Sequence, residues 1–147
     1  MAHSGYREGR SESGFTLIEL LVVLVILGLL AGLIGPKVMG YLGGSRSKTA
    51  HLQIEQLAAA LDLYKLDMGG YPTTDQGLDS LVAAPAGVTG WHGPYLAKPI
   101  LPIDPWNRPY HYASPGQHGD YDIYSLGSDN QEGGEDEAAD IVSWKKN

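Results

Sequence analysis

The carboxylate of Glu19 stands near the start of a run of apolar residues that extends from Phe15 to Ile34. A charge buried in an apolar environment is costly unless a group of opposite charge pairs with it. An acidic residue in such a run therefore indicates a functional ion-pairing site. From these residues alone the alternative stays open that Glu19 only marks the water-facing end of the run.

Six carboxylates between residues 129 and 140 form a second group that could do chemistry, and no Lys or Arg occurs between residues 109 and 144. Carboxylate and carbonyl oxygens bind hard divalent cations, and calcium tolerates an irregular loop better than magnesium does. Gly127, Gly133 and Gly134 would let the backbone turn its carbonyls inward. A solvated acidic loop without a metal is the alternative. The six carboxylates are those of Asp129, Glu132, Glu135, Asp136, Glu137 and Asp140.

The element that positions Glu19 is predicted to be a transmembrane helix. The run from Phe15 to Ile34 has 20 residues, of which 15 are Leu, Ile, Val or Phe. A helix of that length spans about 30 Å, the thickness of a bilayer's hydrocarbon core. At about 0.3 to 0.6 kcal/mol each, the apolar residues outweigh the cost of one acidic residue near the end of the span. A core helix of a soluble protein is disfavoured, because this run has no polar face.

The chain after the span predicts one α+β domain with a long loop region. A helix from Ser45 onward has an apolar stripe at helical spacing, predicted to pack on the domain's own sheet, and Gly69-Gly70 ends it. Pro36 predicts a kink or a melted turn. Thr73 and Gln76 have capping-box spacing, and three short strands follow from residue 110. The stripe comprises Ala50, Ile54, Leu57, Leu61, Tyr64 and Met68, and the strand segments are 110–112, 121–124 and 141–144.

Composition excludes several classes of function. The chain has no cysteine, so it has neither a disulfide framework nor a thiolate metal site. Its pI of about 5.0 makes nucleic acid an unsuitable partner. The five histidines lack metal-ligand spacing, and no nucleophile elbow or phosphate-binding glycine loop is present. The sequence therefore predicts a protein that is not an enzyme.

The phrase Gly-Phe-Thr-Leu-Ile-Glu before a long apolar helix resembles the signature of type IV prepilins and pseudopilins. The resemblance implies that a membrane prepilin peptidase cuts between Gly14 and Phe15 and methylates the new amine of Phe15. Glu19 would pair with the Phe15 amine of a neighbouring subunit during assembly. The implied domains are a cytoplasmic leader (1–14), a transmembrane and filament-core helix (15–35) and a periplasmic pilin-like domain (36–147).

Downstream phrases resemble the major pseudopilins of type II secretion more specifically. They are Tyr-Pro-Thr-Thr-x-Gln-Gly-Leu, Gly-Pro-Tyr-Leu, Asp-Pro-Trp and Tyr-Ser-Leu-Gly-Ser-Asp, and Asn107 departs from them where glycine is expected. The resemblance implies a type IV pilin-like fold, with a long N-terminal helix, half transmembrane and half amphipathic, packed on a small antiparallel sheet.

The same resemblance implies a calcium ion in the loop 126–140. The side chains of Asp129 and Asp136 and the carbonyl of Leu126 would be ligands, with the carbonyls of Ser128 and Gln131 as further candidates. Asp140 could cap the loop or bind the ion. Glu132, Glu135 and Glu137 would then be surface charges.

The implied function is that of a structural subunit. Subunits would form a helical homo-oligomeric filament, the periplasmic pseudopilus, which supports export of folded proteins across the outer membrane. Implied partners are the prepilin peptidase, minor pseudopilins, and the inner-membrane secretion platform with its ATPase. Two alternatives remain: the major pilin of a type IV pilus, or a bitopic periplasmic binding module.

Overall fold

The structure is a computed structural model that describes residues 13–145, with the backbone alone at positions 36, 37 and 39. The predicted leader therefore lies almost entirely outside the described residues. Internal contacts divide the chain into two units, one ending at Met39 and one beginning at Gly40. In chain order the elements are α1 (Leu17–Met68), a 3-10 helix (Leu78–Leu81), β1 (His111–Ala113), β2 (Asp122–Ser125), a second 3-10 helix (Asp136–Ala138) and β3 (Ile141–Val142).

In the first unit, α1 is apolar and exposed. Within the described chain it is the one helix long and apolar enough to cross a membrane, by length and composition. The prediction of a melted turn at Pro36 is wrong, because the backbone stays α-helical from Leu17 to Met68. A proline removes one N–H donor and displaces one carbonyl, and the hydrogen bonds of the adjoining turns preserve the helix. The predicted kink stays a prediction.

In the second unit, α1 buries the predicted apolar stripe. Ala50, Ile54, Leu57, Leu61 and Tyr64 are all buried, which confirms the helical periodicity. Full burial of a leucine contributes about 1.5 to 3 kcal/mol, so this stripe is a principal source of the domain's stability. The helix ends as predicted: Gly69 has φ 79° and its N–H donates to the Lys65 carbonyl at 2.8 Å.

The three predicted strands form one antiparallel sheet in the order β1-β2-β3. His111 lies opposite Tyr124, and Ser125 lies opposite Ile141. Ile123 of β2 is fully buried and belongs to the same core cluster as the α1 stripe. The predicted α+β architecture, a long helix packed on a small antiparallel sheet, is therefore confirmed.

The long loop region between α1 and β1 is packed and hydrogen-bonded. Thr73 and Gln76 form the predicted capping box, because each side-chain oxygen accepts from the other residue's backbone N–H, at 3.2 and 2.9 Å. The indole N–H of Trp91 donates to the Ser80 carbonyl at 2.7 Å, and the Trp91 ring packs edge-on against Tyr95. Trp91 and Tyr95 pack against the core cluster, and the Tyr112 hydroxyl of β1 donates to the Pro72 carbonyl at 2.7 Å, so the loop is attached to the core and to the first strand.

Candidate functional site

The predicted processing site lies on an exposed, non-helical segment. Residues 13–16 precede the first turn of α1, and Gly14 and Phe15 are both exposed, the latter 91%. Nothing lies within 4 Å of a methyl group placed on Gly14. A peptidase needs an accessible peptide bond, and this exposed, non-helical segment offers one.

Glu19 caps its own helix. Its Oε2 accepts from the Thr16 N–H at 3.0 Å, and Thr16 Oγ1 accepts from the Glu19 N–H at 3.2 Å. This is a capping box, and the spacing Thr-x-x-Glu in the sequence is the signal that could have predicted it. The carboxylate also lies at the positive end of the helix dipole. Oε1 accepts no hydrogen bond from a described residue, so one carboxylate oxygen stays available for a cation.

The apolar part of α1 is not covered within a single chain. All 15 Leu, Ile, Val and Phe side chains from Phe15 to Ile34 are at least 49% exposed. Soluble monomers rarely expose a continuous apolar surface of this size. The segment therefore requires lipid or another apolar surface around it.

The acidic loop, residues 126–140, is a closed turn held by backbone hydrogen bonds. The Ser128 N–H donates to the Glu137 carbonyl at 2.9 Å, and the Asp140 N–H donates to the Gly133 carbonyl at 3.2 Å. Gly127 has φ 63°, and a methyl group there would lie 2.7 Å from the Ala139 carbonyl oxygen. Only glycine tolerates both this conformation and this approach.

The predicted calcium ligands offer suitable oxygens. Within the described chain, the backbone carbonyls of Leu126, Ser128 and Gln131 accept no hydrogen bond, and neither does the carboxylate of Asp136. Asp129 Oδ1 accepts from the Gln131 N–H at 3.1 Å. Carbonyl and carboxylate oxygens of this kind are the donors that calcium uses.

Asp140 has two different carboxylate oxygens. Oδ2 accepts from the Gly133 N–H at 2.9 Å, which is a capping role, and Oδ1 is buried without a partner in the described structure. A buried acceptor without a donor is costly, so Oδ1 fits a cation. Among the residues described, no group of three or more acidic or histidine side chains could hold a metal. The predicted calcium ligands include only two carboxylates, those of Asp129 and Asp136, and the other ligands are backbone carbonyls. Calcium binding therefore stays a prediction.

A buried carboxylate that sequence reasoning did not single out supports the base of the acidic loop. Asp104 is 3% exposed, and its oxygens accept from the backbone N–H groups of Trp106 and Arg108 at 3.0 and 2.8 Å and from the Ser125 hydroxyl at 2.7 Å. Arg108 Nε lies 3.9 Å from Asp104 Oδ2, and its guanidinium donates to the Gly127 carbonyl. In the sequence the phrase Asp-Pro-Trp carried only the resemblance to pseudopilins, and its contact with the acidic loop became visible only in the folded chain.

Asn107 lies in the same turn, at the position where the resemblance to pseudopilins predicts glycine. Its φ is 64°, in the left-handed region. Asparagine adopts this region more readily than most residues, so the departure is accommodated.

Glu137 packs against α1, which corrects the prediction that it is only a surface charge. Gly43 of α1 is buried, and a methyl group placed on it would overlap Glu137 Oε1 and Cγ. The Glu137 side chain therefore lies directly on the helix, and it would have to move to admit a methyl group at Gly43. The spacing of the glycines along the chain does not single out Gly43.

Asp122, at the start of β2, has a lowered pKa. Burial alone would raise its pKa, but hydrogen bonds from the His118 ring and from the backbone N–H groups of Gln117 and His118 bring the pKa below its ordinary 3.8. His118 Nδ1 lies 3.0 Å from Asp122 Oδ2, and the His118 ring stacks on Trp144 with centroids 3.9 Å apart. Asp122 therefore fixes the turn between β1 and β2 and links it to the C-terminal segment.

Comparison with known proteins gives two family matches. Residues 37–144 match the family model described as type II secretion system (T2SS), protein G, and residues 9–35 match the prokaryotic N-terminal methylation motif. The second match covers the predicted cleavage site and the whole apolar run from Phe15 to Ile34.

Individual relatives agree with the family models. The type II secretion system core protein G of Pseudomonas aeruginosa is 50% identical over 139 residues, covering 92% of this chain and 96% of its own. The protein of the same name from Vibrio cholerae is 46% identical, covering 92% and 93%. The crystal structure of the major pseudopilin from the type 2 secretion system of enterohaemorrhagic Escherichia coli aligns with a TM-score of 0.60 at 35% identity, covering 74% of this chain and 95% of that one.

Proposed function

This chain belongs to the type II secretion system protein G family, the major pseudopilins, and is a structural subunit of the pseudopilus; we propose that it is processed between Gly14 and Phe15 and then polymerises through its apolar helix. The observation that carries the proposal is the run of 15 exposed apolar side chains from Phe15 to Ile34, which lies within the N-terminal methylation motif. Lipid covers this surface in the membrane, and neighbouring helices cover it in the filament.

Glu19 acts at the moment of assembly. Cleavage leaves a cationic amine at Phe15 of each subunit, and the unoccupied Oε1 of a neighbour's Glu19 accepts it. The pair neutralises two charges that would be costly one at a time in an apolar filament core. Before assembly, the capping interaction with Thr16 keeps the carboxylate hydrogen-bonded in the free subunit.

Calcium binding by the acidic loop is the second part of the proposal. Asp129 and Asp136 supply carboxylate oxygens, and the carbonyls of Leu126, Ser128 and Gln131 supply neutral ones. No Lys or Arg between residues 109 and 144 neutralises the acidic loop, and a bound calcium ion supplies that positive charge. The Asp104–Arg108 pair fixes the Gly127 carbonyl and thereby orients the backbone on both sides of it.

The remaining parts concern location and partners. We infer that the leader stays in the cytoplasm, that residues 15–35 cross the inner membrane, and that the domain 36–147 lies in the periplasm. The partners would be the prepilin peptidase, minor pseudopilins, and the secretion platform with its ATPase. The chain itself would have no catalytic role, and its work would be polymerisation that helps to export folded proteins.

Intact mass and N-terminal peptide analysis of the protein from its native membrane tests the processing step. A mature chain that begins at methylated Phe15 supports the proposal, and an intact leader that begins at Met1 contradicts it. Electron microscopy of the same cells then tests polymerisation. Glu19→Gln should abolish filaments, whereas Asp75→Asn, a change at an exposed carboxylate of the loop region, should leave their number unchanged.

A further inference from the structure

A cleft of about 650 Å³ opens in the second unit between α1 and the segment that follows β3. Its volume lies within the range of about 300 to 1,000 Å³ that ligand-binding clefts occupy. The walls combine apolar and cationic side chains. Leu52, Ile54 and Val142 supply the apolar part, and Lys48 and Lys145 supply the cations.

The cations of this cleft have no counter-ion within the described chain. Lys48 and Lys145 are exposed, and neither lies within 4 Å of a described carboxylate, whereas Lys65 pairs with Asp120 at 3.4 Å. Glu55 also lines the cleft and reduces its positive charge without pairing with either lysine. An open cleft with an apolar wall and two cations that pair with no described carboxylate fits an acidic polypeptide segment.

The acidic loop presents the complementary surface. Glu132 and Glu135 are exposed, their carboxylates accept no hydrogen bond from a described residue, and neither belongs to the proposed calcium ligands. The chain as a whole carries a net charge of −7, so subunits of this protein repel one another unless opposite charges meet at their contacts. The molecule therefore carries both halves of a charge-complementary contact on two different sets of residues.

We propose that the Lys48–Lys145 cleft receives the acidic loop of a second copy of the chain, with Glu132 and Glu135 reaching the two lysines. The inference rests on the proposed polymerisation and names one of its contacts. A contact between two different patches is heterologous and can propagate from subunit to subunit, as a filament requires. It would also cover Leu52, which is 59% exposed in the single chain.

Cysteine cross-linking tests the contact directly, because the natural chain has no cysteine. Lys145→Cys and Glu135→Cys are introduced into separate full-length chains that are expressed together and oxidised in cells that form filaments. A disulfide-linked dimer is expected. Lys98→Cys, at another exposed lysine, is the matched control in place of Lys145→Cys, and its dimer with Glu135→Cys should be at least about tenfold less abundant.

Three results would overturn the proposal. The dimer could be no more abundant than with Lys98→Cys. A chain carrying both Lys145→Cys and Glu135→Cys could close on itself, so that its own loop occupies the cleft. Lys145→Cys could instead cross-link to a band of different mass, which would assign the cleft to another protein.

Charge reversal provides an independent test. Lys48→Glu with Lys145→Glu should lower the sheared filament yield at least about tenfold, because like charges would then face each other. Adding Glu132→Lys and Glu135→Lys should restore it, and failure of this rescue in variants that melt like the wild type contradicts the proposal. The wild-type filament yield separates the proposed cleft contact from the proposed polymerisation. If filaments form but the cross-link does not, only the cleft contact is refuted. If the wild type forms no filament, polymerisation itself is refuted.

Discussion

Replacing Asp104 should be among the most destabilising single changes in the second unit. Asp104→Ala removes the acceptor for two backbone N–H groups and one hydroxyl, and it leaves Arg108 without its carboxylate partner. Each donor left unsatisfied in a buried site costs about 1 to 3 kcal/mol, and breaking a buried ion pair from one side costs about 3 to 5 kcal/mol in total. These costs overlap, so the expected loss is about 3 to 5 kcal/mol.

That loss is a large share of the about 5 to 15 kcal/mol that stabilises a typical domain. The assay is urea unfolding of the full-length chain in detergent micelles, followed by far-UV circular dichroism. Asp104→Asn should cost less than Asp104→Ala, because its amide oxygen can still accept from Trp106 and Arg108. Asp75→Ala, at an exposed carboxylate, is the control and should stay within about 0.5 kcal/mol of the wild type.

The reasoning fails if Asp104→Ala is no more destabilising than Asp75→Ala. It also fails if Asp104→Asn and Asp104→Ala unfold at the same urea concentration, because the retained acceptor oxygen would then contribute nothing.

Three further predictions concern the packing, the pH response and the metal. Gly43→Ala should be less stabilising than Gly44→Ala in thermal melts, by about 1 kcal/mol, because the new methyl group displaces the flexible Glu137 side chain, whereas nothing lies within 4 Å at Gly44. The ionised carboxylate of Asp122 stabilises the folded state, because its pKa there is lower than the ordinary 3.8 of the unfolded chain. This contribution is present above pH 3.8 and is lost as pH falls through the lowered pKa. Urea unfolding between about pH 2 and 6 should show the loss in the wild type and not in Asp122→Asn. Calcium at about 100 times its dissociation constant should stabilise the wild type by about 2.7 kcal/mol. The same calcium concentration should stabilise Asp136→Ala far less, whereas Glu135→Ala should respond like the wild type. Identical melting of the wild type with calcium and with chelator would contradict the site.

Local patterns accounted for much of the fold. The stripe at Ala50, Leu57 and Leu61 is readable because helical periodicity places residues three and four apart on one face. Gly69 and the Thr73–Gln76 box are readable because they act on neighbouring backbone groups. The strands are readable from alternation, although β1 and β2 each begin one residue later than predicted.

The sequence alone also indicated the chemistry of the two ends of the chain. The run from Phe15 to Ile34 is long enough to span a membrane independently of how the rest of the chain folds. Membrane insertion of a helix depends on its own length and composition. The acidic character of residues 129–140 is equally a property of composition. Both conclusions require no knowledge of which distant residues meet.

Only the tertiary structure decided which distant groups come together. Arg108 reaches the Gly127 carbonyl, Glu137 approaches Gly43, and the cleft joins Lys48 with Lys145. Spacing along the chain carries geometric information only within a regular element, where each residue advances by a fixed rotation and rise. Groups from separate elements meet because buried apolar faces dock and bring their loops together, and one sequence without structure does not record that outcome.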